Sequence, residues 1–190
     1  MIVAVAVEEK VTDEVKRGAL PSYFYRLSAR AQRVWLKSDA IERLDLQPDA
    51  EMLSLAAALV TVVSSGSAAR IAVAAQALTD RVCRSLRVRP VKVEVRGVRP
   101  HNARGELHGI FYPRGPAMQP GLPLIVLWMR TAQRRDVVKP RTFVRTLMHE
   151  LGHYLDYVLL GLDDSYHTTG FFKRESFLMR TLLPSAPRSQ

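Results

Sequence analysis

The stretch Pro140 to Leu160, PRTFVRTLMHELGHYLDYVLL, constrains this chain more than any other. Apolar residues recur in it every three or four positions, the period of an α-helix. At about 100° per residue, Val144, Leu147, Leu151, Leu155 and Val158 share one face. His149 and His153, four residues apart, sit one turn above each other on a side roughly opposite that face. Pro140 suits a first helical turn, where its missing N–H is not needed, and Gly161 suits a stop. Gly152 costs about 1 kcal/mol relative to alanine inside a helix, which makes sense if something approaches the backbone closely. Between Thr146 and Leu155 only Glu150 is charged, unlike a wet helix face in a chain with 28 lysines and arginines.

The spacing of His149 and His153 suits a metal. Imidazoles at i and i+4 can point at one zinc ion, about 2.0–2.1 Å from each nitrogen. Glu150 is rotated by about 100° from His149, so it cannot easily share that coordination. It can instead hydrogen-bond a water held by the metal, act as general base, and later pass a proton to a leaving amine.

A catalytic zinc takes three protein ligands and keeps one position open. The single cysteine, Cys83, excludes a CxxC site or an internal disulfide, so the ligands must be histidines or carboxylates. Of five histidines, only His167 lies downstream of the helix, in a loop that can fold back over it. It is the first candidate for the third ligand. Glu175, on an otherwise apolar stripe of a helix from about Phe171 to Leu183, is the alternative; it could equally steady a histidine or pair with an arginine. Asp156, one turn past His153, ranks behind both and could also steady a histidine or be solvated. Tyr157 or Tyr166 could donate to a developing oxyanion, against a simple packing role.

The rest of the chain gives the frame. Hydrophobic residues make up 47% of the 190, enough for a core. MIVAVAV at the start reads as a short strand, not a signal peptide. Helices are expected from Ser22, as N-cap, to about Leu44; from Ala50, capped by Asp49, to about Val63; and from Ala68 to about Leu86. The last buries Ile71, Ala74, Ala75, Leu78, Val82 and Leu86, and leaves Arg81, Arg84 and Arg87 on a solvated side. Strands are expected at Val91 to Arg96, Leu107 to Tyr112 and Leu124 to Met129, with loops at 97–105 and 113–123. The sum is an α+β fold: N-terminal helices over residues 1–89, then a small sheet packed on the His149–His153 helix and a C-terminal helix over 90–190, divided into two regions or forming one continuous domain.

With these residues in view, the C-terminal half resembles the zincin metallopeptidases, and within them the SprT-like group. The likeness runs over roughly residues 90 to 183. It rests on His149-Glu150-Leu151-Gly152-His153, then His167, then Gly170-Phe171-Phe172-Lys173. It implies a short twisted sheet on the HExxH helix, a zinc cofactor, hydrolysis of peptide or protein substrates, and an edge strand that pairs with extended substrate. Either Leu107–Tyr112 or Leu124–Met129 could be that strand. The chain departs from the group in lacking a cysteine zinc ribbon, and its N-terminal helices have no counterpart there.

Formal net charge is +10, which favours anionic partners, nucleic acid above all. No apolar run is long enough to span a bilayer, and the cysteine content fits a cytoplasmic protein. Three functions therefore compete: a zinc peptidase with Glu150 as base, a non-catalytic zincin-fold binding protein with structural zinc, and a basic nucleic-acid-binding protein.

Overall fold

A computed structural model describes residues 20–102, 105–114 and 121–183; the strand expected at MIVAVAV lies outside them. The fold is α+β. After a 3₁₀ turn at Phe24–Arg26 come α1 (Ala29–Ala40), α2 (Ala50–Val63) and α3 (Ala68–Ser85). Then follow β1 (Lys92–Val98), β2 (His101–Asn102), β3 (Gly105–Glu106), β4 (Gly109–Tyr112) and β5 (Leu124–Arg130). Two helices close the order, α4 (Pro140–Val158) and α5 (Thr169–Leu182). No helix among the described residues is long and apolar enough to cross a membrane.

The first helix differs from its expected bounds. Ser22 does not cap it; Leu27 is extended, and the Ser28 hydroxyl accepts from the Ala31 N–H at 3.2 Å, so α1 starts there. It ends at Ala40 because Ile41 is extended, and Leu44 and Leu46 enter the core from irregular chain instead. Asp49 does cap α2, accepting from Met52 N–H at 2.8 Å. Arg81 is not solvated as expected. It ion-pairs with Asp49 and Glu51, tying α3 to the start of α2, where carboxylates also suit the helix dipole.

The main sheet runs β1-β5-β4, with β1 parallel and β4 antiparallel to β5. The run Leu124–Met129 is continuous in apolar residues because β5 is central and buried on both faces. Ile125, Leu127 and Met129, with Val93 and Phe111, face the helices in one cluster that extends from Leu44 and Met52 through Ile71 and Leu147 to Leu182. Ile110, Leu124, Val126 and Trp128 form a second cluster on the other face. The Gln76 side chain of α3 accepts from Val93 N–H (2.8 Å) and donates to the Val91 carbonyl (2.9 Å), occupying backbone groups at the start of β1. That leaves β4 as the sheet edge nearest α4. The 97–105 loop contains the small antiparallel β2–β3 pair.

Helix α4 is buried nearly all round. Val144, Leu147, Leu151 and Leu155 face the core as expected, whereas Val158, the last of that stripe, is 39% exposed. The histidine side is covered too, by α5 and the chain between α4 and α5. Gly152 is where they meet: a Cβ there would lie 3.2 Å from the Phe171 ring. Gly109 of β4 is tighter still, since a Cβ would lie 2.7 Å from Thr146 Cγ2 and 2.8 Å from Glu150 Oε1. Gly109→Ala should therefore push β4 off α4 and cost about 1–3 kcal/mol. Gly97→Ala, with open space around its Cβ, should change stability by less than about 0.5 kcal/mol. Urea denaturation of both variants checks this, and equal effects would show that the β4–α4 contact is slack.

Candidate metal centre

The chain leaves α4 by a tight reversal. Gly161 takes φ +59°, a left-handed conformation that glycine adopts without strain, and Leu162 N–H bonds back to the Asp156 carbonyl at 2.9 Å. In the irregular chain that follows, Ser165 and His167 both turn toward α4. Thr168 then caps α5, its hydroxyl accepting from Phe171 N–H at 2.9 Å.

This path brings His167 against the two helix histidines. His167 Nε2 lies 2.9 Å from His149 Nε2 and 2.9 Å from His153 Nε2. One ligand nitrogen from each of the three lies within 4.8 Å of the others, and all three residues are buried. Two nitrogens bound tetrahedrally to one zinc stand about 3.3 Å apart, close to what is found. His101 and His108 lie elsewhere, on and beside the β2–β3 pair.

The outer nitrogens are held. His149 Nδ1 lies 2.9 Å from Glu175 Oε2, and Arg145 donates to the other oxygen of Glu175 at 3.0 Å. Glu175 thus steadies His149 and pairs with an arginine; His167 is the third residue of the cluster. A carboxylate only accepts, so His149 Nδ1 carries the proton, and a neutral ring would turn an unprotonated Nε2 inward. His153 Nδ1 lies 2.7 Å from Ser165 Oγ, which itself donates to Asp156 Oδ2 at 2.6 Å. Burial, followed by the charges of His167, His149 and Arg174, holds the His153 pKa well below the usual histidine range. His153 is therefore neutral and has a lone pair to give. A proton on His167 Nε2 can serve one inward nitrogen fully, whereas a cation serves all three at once. The donor set fits a metal ion.

Aromatic rings wall the cluster. Phe171 stacks on His153, with centroids 4.6 Å apart, and Phe172 on His167, 5.7 Å apart. Tyr157 donates its hydroxyl to Asp164 at 3.1 Å. Burial and the Asp164 charge push the Tyr157 pKa up, and that of Tyr166 to about 12. Asp156 is not solvated: it is buried and bonded to both Ser165 and Arg174. Sequence reasoning missed Ser165 and Arg174. Ser165 lies in the loop that the sequence assigns to His167, but no local pattern marks it out.

Glu150 is fully buried, and neither carboxylate oxygen has a hydrogen-bond partner. Burial raises its pKa well above the ordinary 4.5, and the Glu175 charge adds to the rise. The Phe111 backbone N–H acts the other way but closes no hydrogen bond. A group whose folded pKa is raised stabilises fully below its unfolded pKa, and that contribution is lost as pH rises through the folded value. Chelator-treated wild type should thus lose stability relative to Glu150→Gln between about pH 5 and pH 8. Urea titrations at both pH values check this, and parallel slopes would mean that the carboxyl has a partner. In metal titrations, His167→Ala should abolish tight binding, whereas Glu175→Ala should weaken it about ten- to a hundredfold; the reverse order would make Glu175 the ligand. Compared with known family models, curated proteins and solved structures, the chain has no significant match, so the case for a metal centre rests on the convergence of His149, His153 and His167 itself.

Proposed function

We propose that the chain is a zinc-dependent peptidase in which His149, His153 and His167 hold the metal and Glu150 is the general base. The observation that carries this reading is Glu150 itself. Burying a carboxyl group with both oxygens unpartnered costs several kcal/mol, and a purely structural three-histidine site gains nothing from it. A water at the metal would give Glu150 its missing partner. Zinc, when bound, supplies Lewis acidity that makes such a water nucleophilic near neutral pH and polarises a scissile carbonyl. Glu150 accepts the proton from the water and returns it to the leaving amine. Glu175 and Ser165 hold the His149 and His153 rings in place through their Nδ1 atoms.

The likeness to zincins further implies that substrate lies extended along an edge strand. β4 is the candidate, because its Gly109 packs directly on Glu150, whereas β5 is central. A side chain at 109 would fill the space beside the base. The net charge of +10 supports an anionic companion to the substrate, nucleic acid among them.

A second reading, a structural zinc in a non-catalytic protein, is favoured by burial: His149, His153 and His167 are at most 8% exposed and Glu150 is fully covered. One variant separates the two. Glu150→Gln should keep about one equivalent of zinc and lose at least about a hundredfold in cleavage rate on an unfolded protein substrate such as casein. Wild type and variant cleaving equally would sink the catalytic role of Glu150. Zinc without cleavage in either would favour the structural site.

A further inference from the structure

Arg174 is 2% exposed, yet a guanidinium stays charged in proteins and needs a counter-charge when buried. Its Nη1 donates to the Ser38 carbonyl at 2.7 Å and to the Ile41 carbonyl, and its Nη2 to Ser38 Oγ at 3.0 Å. These neutral acceptors belong to the C-terminal end of α1, where helix carbonyls lack partners within the helix. The remaining Nη2 contact, 2.8 Å to Asp156 Oδ1, supplies the charge. Asp156 is therefore the anion of the pair, and an ionised carboxylate only accepts.

The direction of each next hydrogen bond then follows. Ser165 has one hydroxyl proton, and it goes to Asp156 Oδ2 at 2.6 Å. Toward His153 the same oxygen can only accept, so Nδ1 donates across 2.7 Å. A neutral imidazole has one N–H, so Nε2 faces His167 unprotonated.

We propose that Arg174, Asp156 and Ser165 form a polarity relay, anchored on α1, that pins the His153 proton to Nδ1 and keeps Nε2 open to a cation. These are positioning residues that act through His153, and the inference rests on the metal-site reading above. The relay has a sign that can be inverted without changing its shape. In Asp156→Asn, Arg174 holds the amide oxygen, so the NH₂ group faces Ser165. Ser165 must then accept from the amide and turn its own proton toward His153 Nδ1. The imidazole proton moves to Nε2, on the side where a cation would sit. Ser165→Ala, by contrast, removes the bias without reversing it.

The test uses the full-length protein and two independent readouts. Imidazole ¹⁵N NMR of chelator-treated protein, with its histidines neutral, reports which nitrogen of His153 carries the proton. Competition against a chromophoric chelator reports zinc affinity. Wild type should show Nδ1–H. Asp156→Asn should show Nε2–H and bind zinc about a hundredfold more weakly, and Ser165→Ala should show a mixture and bind about tenfold more weakly. A structural role alone would lower the melting temperature of the metal-free variants without moving the proton. Persistence of Nδ1–H in Asp156→Asn overturns the proposal. Should that variant not fold, an unchanged wild-type tautomer in Ser165→Ala overturns it equally. If wild type binds no zinc but the proton moves as described, the relay stands and the metallopeptidase reading falls.

Discussion

A histidine can give a lone pair to a cation only from the ring nitrogen that carries no proton. Much of this molecule is arranged around that requirement. Glu175 fixes the proton of His149 on the outer nitrogen, and Ser165 does the same for His153. Glu175 is held in turn by Arg145, and Ser165 by Asp156, which pairs with Arg174. The charges of Glu175 and Asp156 are compensated locally, whereas the Glu150 carboxyl has no such partner.

The fold supplies this arrangement by burying α4 on both sides. Its apolar face packs on the sheet and on α2. Its histidine face is closed by Phe171, Phe172 and the loop that carries His167. From Leu147 to Asp156 every residue of this helix is buried, and His149, His153 and Asp156 find their partners on α5 and the loop before it. Gly152 and Gly109 are the points of closest approach, one to α5 and one to β4.

Elements whose signal is local were legible in the sequence: the Asp49 cap, the period of α3, the unbroken apolar run of β5, and the histidine pair at i and i+4. Local signals misled at Ser22 and Arg81, because tertiary partners decided both. Ser28 offered a better cap once Phe24 had packed on Trp35, and Arg81 found carboxylates contributed by α2. The meeting of His167 with the pair on α4 could be proposed from the count of histidines but not demonstrated. The contacts of Ser165, Arg174 and Ser38 could not be read at all, since nothing in a linear pattern says which loop a buried arginine will meet.

The bond from Arg174 to Ser38 joins residues 136 positions apart. Gly170 extends the same seam: its N–H bonds Asp39 at 2.9 Å, and a Cβ on it would lie 2.6 Å from the Ser38 carbonyl. Contacts of such long range are reached late, because the entropy of closing the intervening loop must be met before they return anything. Helix geometry brings two of the three histidines side by side as soon as α4 forms, but their ring partners Glu175 and Ser165 lie beyond that helix. The third takes its position only when α1 and α5, far apart in the sequence, have met. Completion of the three-histidine cluster is thereby deferred to a late stage of folding, when the chain is already committed to its native topology.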